Sequence, residues 1–214
     1  MKIDDKIYDE MFNDEDALAE EKPLLVVNRS PVNNTIYDWI SCVIIALVVV
    51  LILLTYVFRL IDVDGTSMEP TLINTDKVVV TDLFYTPHDG DIVVISHGEE
   101  YQKPLVKRVI ATAGQTLKID YEKNEVYVDG NLLQENYIQG ETIKGNNENI
   151  PEVIPEGKVF VMGDNRPISL DSRYHEVGLI DVSSIIGKAQ FVIIPHKLQG
   201  NNIILDFSKM RYLY

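Results

Sequence analysis

The sequence predicts a mainly β domain, built as a barrel or a sandwich, behind a single N-terminal transmembrane helix. Two observations support this prediction. One long uncharged apolar run lies near the N-terminus, and after it come short runs rich in Val and Ile that are separated by Gly, Pro, Asn and Asp. Helical patterns of about 10–15 residues do not separate these short runs, which disfavours a sheet of strand–helix–strand units. At 214 residues, the chain has room for one ordinary domain plus appendages.

The apolar run, WISCVIIALVVVLILLTYVF, covers residues 39–58 and contains no charged residue. Its 20 residues match the length of about 20 needed to cross a hydrocarbon core of roughly 30 Å. A cleavable secretory signal is the alternative, but no basic region opens the chain and no clear small-x-small site follows the run. We therefore predict a permanent membrane anchor. Lysine and arginine are balanced on its two sides, so the charge rule does not fix its orientation.

Residues 1–38 form an acidic tail with ten acidic and four basic residues, in a chain of net charge −14. Such a polar segment is predicted to be disordered. The acidic balance argues against a nucleic-acid partner, which would require a basic surface. The single cysteine, Cys42, lies in the apolar run and cannot form an intramolecular disulfide.

Residues 59–214 are predicted to form the β-rich domain. One hairpin is specified closely, because Asp129 and Gly130 suit the positive φ angles of a two-residue turn between apolar runs. The predicted strands lie in the segments DKVVVTD, GDIVVIS, PLVKRVIATAG, QTLKIDYEKNEVYVDGNLL, GKVFVMGD and IIGKAQFVIIP.

Ser67 lies in the segment DVDGTSMEPTL, close to the end of the apolar run. A catalytic serine needs a neighbouring base and a donor for the developing oxyanion. No Gly-x-Ser-x-Gly elbow is present, and the histidines have no metal-ligand spacing, so we expect neither a metal nor a cofactor. The four histidines all lie in loop-like or terminal settings: His88, His97, His175 and His196.

Lysine can replace histidine as a base, because burial lowers the pKa of an ammonium group. The strand PLVKRVIATAG places Lys107 and Arg108 on opposite faces, and both faces are apolar. Burying a permanently charged arginine costs more, which favours Lys107 as the buried cation. The alternative is that both cations protect an exposed strand edge from aggregation.

The segment GDNRPISLDSR, residues 163–173, combines four charges with two serines. A surface loop of mixed charges is one interpretation. The other is a salt-bridged loop in which Asp171 and Arg173 fix the backbone and Ser169 hydrogen-bonds the lysine amine.

Three segments together, GTSMEPTL, KRVIATAG and GDNRPISLDSR, resemble the hallmark boxes of type I signal peptidases, in the same order. GDIVVIS, VYVDGNLLQENYI and IIGKAQFVIIP look similar as well, so the resemblance covers roughly residues 36–197. It implies one role for each matching position. These are Ser67 as nucleophile, Lys107 as general base, Ser169 as the hydroxyl that positions the lysine, Asp171 and Arg173 as a structural ion pair, and Gly163 as a glycine where a side chain would crowd the lysine.

The resemblance also implies an activity and a location. The implied enzyme is a membrane-bound serine endopeptidase that removes signal peptides from secreted preproteins after Ala-x-Ala sequences. It would work beside membrane lipid and the protein translocation channel, with residues 1–38 cytoplasmic and residues 59–214 extracytoplasmic. The short distance from Lys107 to Gly163 resembles the compact Gram-positive form.

Two positions depart from the family pattern. Gly65 stands where some members have a serine whose hydroxyl completes the oxyanion hole, and ATAGQ follows in the lysine box where a sequence closer to GLPGD is expected. A self-cleaving Ser–Lys repressor protease and a membrane-anchored domain that only binds are the alternative classes. The predicted span disfavours the former, and the latter leaves the lysine in an apolar strand unexplained.

Overall fold

The computed structural model describes residues 31–96, 103–199 and 202–213. One helix, α1 (Pro31–Tyr56), contains a stretch at Thr35–Leu53 that is long and apolar enough to cross a membrane, and its side chains there are exposed. The helix begins at Pro31 rather than Trp39, because a proline is tolerated in the first turn, where its missing N–H breaks no hydrogen bond. Residues 1–30 of the predicted acidic tail lie outside the described residues.

The rest of the described chain is built from strands, which confirms the mainly β prediction. In chain order they are β1 (Phe58–Asp62), β2 (Lys77–Thr81), β3 (Ile92–Ile95), β4 (Leu105–Thr112), β5 (Leu117–Asp120), β6 (Glu125–Val128), β7 (Asn131–Leu132), β8 (Lys158–Met162), β9 (Ile180–Asp181), β10 (Ile185–Ile194), β11 (His196–Gln199), β12 (Asn202–Leu205) and β13 (Arg211–Tyr212).

Eight strands form one antiparallel sheet in the order β1-β2-β10-β3-β4-β8-β9, and β13 pairs with β10 beside this path. Two smaller sheets contain β5-β6-β7 and β11-β12. The turn between β6 and β7 is Asp129–Gly130, with φ angles of 51° and 76°. Both angles are positive, as a type I′ turn requires, so the predicted hairpin is confirmed.

Strand β3 shows where the core lies. Ile92 and Val94 pack into one cluster with side chains of β2 and β10, whereas Val93 and Ile95 pack into a second cluster with side chains of β4 and β8. Both faces of β3 are therefore buried, which explains its continuous apolar run. Next to it, β4 pairs with β3 on one side and with β8 on the other, so its side chains lie deep in the domain.

Candidate active site

Ser67 lies in the loop between β1 and β2, residues 63–76, here called the nucleophile loop. Met68 and Leu72 are buried in the first core cluster, and the Leu72 N–H donates to the Met68 carbonyl at 2.9 Å. Gly65 has a φ of 104°, which a residue with a side chain rarely adopts, and its N–H donates to Asn74 Oδ1 at 2.8 Å. The apolar anchors and the glycine turn thus hold Ser67 half-buried against the sheet.

Lys107 reaches Ser67 from strand β4. Its Nζ atom donates to Ser67 Oγ at 2.8 Å and to the Val106 carbonyl at 3.2 Å. Only 2% of the residue is exposed. The nucleophile candidate and the base candidate, 40 residues apart in the chain, are therefore in direct hydrogen-bond contact.

Burial lowers the pKa of Lys107 from its ordinary value of 10.5 to about 8. Removal from water disfavours the charged amine and is the largest cause. The negative charges of Asp171 and Asp164 oppose it, and the positive charge of Arg173 adds to it. Near neutral pH, a useful fraction of the amine is therefore unprotonated and able to accept a proton.

The loop of residues 163–173 contains a fully buried ion pair. Arg173 Nε donates to Asp171 Oδ1 and Arg173 Nη2 to Asp171 Oδ2, each at 2.8 Å, and both side chains are 0% exposed. Asp171 Oδ2 also accepts the Gly163 N–H at 3.0 Å. Asp171 and Arg173 thus hold the backbone of this loop, and its four charged side chains are buried rather than at the surface.

Gly163 lies where the two serine-bearing segments meet. A Cβ atom at this position would lie 2.2 Å from Ser169 Oγ and 2.5 Å from the Ser67 carbonyl oxygen. Both distances are far below ordinary contact. A side chain at Gly163 would therefore displace the two serines.

Ser169 differs from its prediction. Its side chain is buried, but Ser169 Oγ has no hydrogen-bond partner among the described residues. The Lys107 amine donates instead to Ser67 and to its neighbour's carbonyl. Since Ser169 Oγ has no partner within the described residues, the predicted hydrogen bond between Ser169 and the lysine is absent from this arrangement.

The prediction that favoured Lys107 over Arg108 as the buried cation of β4 needs correction. Arg108 is only 3% exposed, so both cations are buried. Its Nε and Nη2 atoms donate to the two carboxylate oxygens of Asp164 at 2.9 and 2.6 Å, and its guanidinium lies 3.9 Å from the centroid of the Tyr137 ring. The cost of burying the arginine is offset by this pairing, which a rule based on single residues does not include.

Asn165 is a site residue that the sequence reasoning missed. Its N–H donates to the Ser67 carbonyl at 2.9 Å, and its side-chain amide donates to the Thr66 carbonyl at 3.1 Å. Asn165 therefore holds the peptide groups on both sides of Ser67. The only sequence signal was its place within the charged box, because the contact joins segments almost a hundred residues apart.

The described histidines lie beside carboxylates and not beside Ser67. The imidazoles of His88, His175 and His196 lie within 3.8 Å of the carboxylates of Asp91, Glu176 and Asp76. His97 lies outside the described residues. Within the described ranges, no cluster of three or more His, Cys, Asp or Glu side chains is arranged to hold a metal ion.

Comparison with known proteins places these features in one group. Residues 36–194 match the family model described as "Signal peptidase, peptidase S26". The chain is 35% identical over 172 residues to signal peptidase I of Bacillus licheniformis, covering 76% of this chain and 90% of the relative. It is 38% identical over 172 residues to a probable signal peptidase I-1 of Synechocystis sp., covering 75% and 84%.

One solved structure is similar in part. A crystal structure of a signal peptidase I from Enterococcus faecalis V583 matches with a TM-score of 0.38 and 27% identity, covering 49% of this chain and 97% of that chain.

Proposed function

Because the chain belongs to the signal peptidase I family, whose members are serine peptidases that remove signal peptides, we propose that Ser67 is its nucleophile and Lys107 its general base. One observation carries the proposal: the Lys107 amine, almost wholly buried, lies 2.8 Å from Ser67 Oγ. The family assignment rules out a domain that only binds and a repressor that only cleaves itself.

The reaction uses this contact with the hydroxyl donating to an unprotonated amine. Lys107 Nζ takes the Ser67 proton while Ser67 Oγ attacks the scissile carbonyl carbon. The tetrahedral intermediate collapses to a serine ester, and the lysine ammonium protonates the leaving amine of the mature protein. Lys107 then deprotonates a water molecule that hydrolyses the ester and frees the signal peptide.

The developing oxyanion needs at least one donor. The Ser67 N–H makes no hydrogen bond within the described residues, and its carbonyl is held by Asn165. We assign this N–H as one donor of the oxyanion hole. Gly65 contributes no side-chain hydroxyl, so any second donor is a different group.

The loop of residues 163–173 has three roles in this mechanism. Asp171 and Arg173 hold the segment through their buried ion pair, and Gly163 leaves the space that Ser67 and Ser169 occupy. The Ser169 hydroxyl, which lacks a partner in the described residues, turns to the lysine amine once Ser67 has given up its proton. It then holds the amine in the direction of the attacking water.

The same assignment supports a proposal for the substrate and the location. The preferred junction is Ala-x-Ala, read by small apolar pockets. The helix α1 anchors the chain in the membrane, with the segment before it on the cytoplasmic side and residues 59–214 outside, beside membrane lipid and the translocation channel. From Phe58 to Ser67 the chain spans nine residues, at most ~30 Å, which suits a cleavage site that emerges at the membrane surface.

The test is cleavage of a preprotein with an Ala-x-Ala junction by the full chain in detergent. Ser67→Ala and Lys107→Ala should each abolish cleavage, while the exposed controls Ser183→Ala and Lys118→Ala should keep it. The rate of the unmodified protein should rise with pH through about 8 as Lys107 loses its proton. Cleavage that survives either active-site substitution would reject the mechanism, as would a rate independent of pH between 6 and about 9.

A further inference from the structure

The described residues 195–199 and 202–213, here called the C-terminal strap, lie beyond the family match, which ends at residue 194. The last strand of the strap, β13, returns to the main sheet and pairs with β10. The pairs are Phe191 with Tyr212 and Val192 with Arg211, and the Phe191 and Tyr212 rings meet edge to face with centroids 5.0 Å apart. The end of the strap is therefore paired with the main sheet.

The strap reaches the nucleophile loop through two hydrogen bonds and a shared core cluster. Leu213 is 6% exposed and lies in the same core cluster as Met68 and Leu72, the residues that anchor the loop after Ser67. Arg211 Nη2 donates to the Thr71 carbonyl. At the start of the strap, the His196 N–H donates to the buried Asp76 carboxylate at 2.6 Å.

Thr71 is the residue through which these contacts reach the site. Its carbonyl accepts from Arg211, and its hydroxyl donates to Asp164 Oδ2. Asp164 in turn accepts two hydrogen bonds from Arg108, the neighbour of Lys107 in β4. Thr71 thus lies between the strap on one side and the strand of the base on the other.

A shift of Thr71 would move Ser67, because the chain between them is a hydrogen-bonded turn. The Glu69 N–H donates to the Thr66 carbonyl at 3.2 Å, and the Leu72 N–H donates to the Met68 carbonyl at 2.9 Å. The first bond closes residues 66–69 and the second closes residues 68–72, so the two turns overlap and link the Ser67 backbone to that of Thr71.

We propose that the C-terminal strap positions the nucleophile loop, with Arg211 as the positioning residue that keeps Ser67 Oγ within reach of Lys107 Nζ. This inference rests on the proposed function. Arg211 touches no reacting atom, and its side chain reaches the nucleophile loop at the Thr71 carbonyl. The strap is thereby a part of the catalytic apparatus that the family domain of residues 36–194 does not include.

The experiment compares Arg211→Met and Lys209→Met in the full chain. Both remove one positive charge from the strap, but Lys209 is exposed and only its carbonyl takes part in the Arg211 contacts. Arg211→Met should lower kcat about tenfold with little change in KM, because misplacement of a reacting group affects the chemical step. Lys209→Met should match the unmodified enzyme.

A pH profile separates positioning from mere stability. When Ser67 moves away, water reaches Lys107 and its pKa rises towards the ordinary value of 10.5. The Arg211→Met profile should therefore shift to higher pH, and part of its activity should return there. Arg211→Lys, which can still donate one hydrogen bond to Thr71, should recover part of kcat and of the profile.

The outcomes are distinct. If Arg211→Met lowers the melting temperature but leaves kcat and the pH profile of the folded enzyme unchanged, the strap only stabilises the fold and the proposal is wrong. An equal loss in Lys209→Met would assign the effect to charge and reject it too. Failure of the dyad itself would appear separately, as cleavage by Ser67→Ala in the same assay.

Discussion

Strand β4 buries one cation on each of its two faces, and the two cations have different kinds of partner. Lys107 and Arg108 are neighbours, and both are almost wholly buried. On one face, Arg108 forms a two-bond ion pair with Asp164. On the other face, Lys107 donates to the Ser67 hydroxyl and a carbonyl, and among the described residues it makes no ion pair.

The different partners give the two cations different properties. A buried cation with a carboxylate partner keeps its charge and holds two segments together. A buried cation without such a partner lowers its pKa instead, as Lys107 does. The carboxylates nearest to Lys107 are already paired: Asp171 with Arg173 and Asp164 with Arg108. The arginines thus remove the partners that would otherwise keep the lysine protonated.

The largest effect on stability is expected when Arg108, the cation paired with a carboxylate, is replaced. Arg108→Met would leave the Asp164 carboxylate buried without its countercharge, since Asp164 is 0% exposed. We expect the free energy of unfolding to fall by about 3–5 kcal/mol, measured by denaturant titration of the detergent-solubilised protein. Lys158→Met is the control, because its partner Asp181 lies at the surface and the loss there should stay below about 1 kcal/mol. Equal losses would show that burial does not distinguish the two pairs.

Replacement of Lys107, the cation without a carboxylate partner, should change the free energy of unfolding in the opposite direction. The folded pKa of Lys107 is lowered from 10.5 to about 8, so the folded state binds fewer protons than the unfolded state between these values and stability rises with pH there. Below pH 8 the lysine is buried with its charge. Lys107→Met should therefore stabilise the fold by up to about 3 kcal/mol at pH 7, abolish cleavage, and lose its advantage as pH approaches 10.5.

That measurement is a difference between two proteins at each pH, so other titrating groups largely cancel. Denaturation of both proteins at pH 6, 7 and roughly 10 would define the trend. A Lys107→Met protein that is less stable than the parent at pH 7 would mean that the amine is stabilised by its surroundings, and the contrast between the two faces would be lost.

The sequence predicted one face of β4 better than the other, for a physical reason. The need of Ser67 for a base, and the position of Lys107 in an apolar strand, are local facts that a reader of the sequence can combine. The burial of Arg108 depends on Asp164, which is 56 residues away, and on the Tyr137 ring. Neither contact leaves a local pattern in the sequence.

The same limit applies to the fold. Strands β2, β3, β4, β8 and β10 follow Val- and Ile-rich runs and were predicted. Strand β1 begins at Phe58, directly after the helix, so the apolar run hides the boundary and the predicted span extends to the same residue. Strand β13 is only two residues long, and its pairing depends on β10 rather than on its own sequence.

The smallest expected effect on stability comes from replacing Ser169, whose hydroxyl is proposed to orient the Lys107 amine. The Ser169 hydroxyl makes no hydrogen bond among the described residues, so Ser169→Ala removes no contact and should change the free energy of unfolding by less than about 1 kcal/mol. If the hydroxyl turns to Lys107 during the reaction, kcat should nevertheless fall about tenfold. Ser172→Ala is the matched contrast, because its hydroxyl accepts the Val161 N–H at 3.0 Å and its loss should lower stability instead. Unchanged kcat in Ser169→Ala would leave Lys107 oriented by Ser67 and the Val106 carbonyl alone.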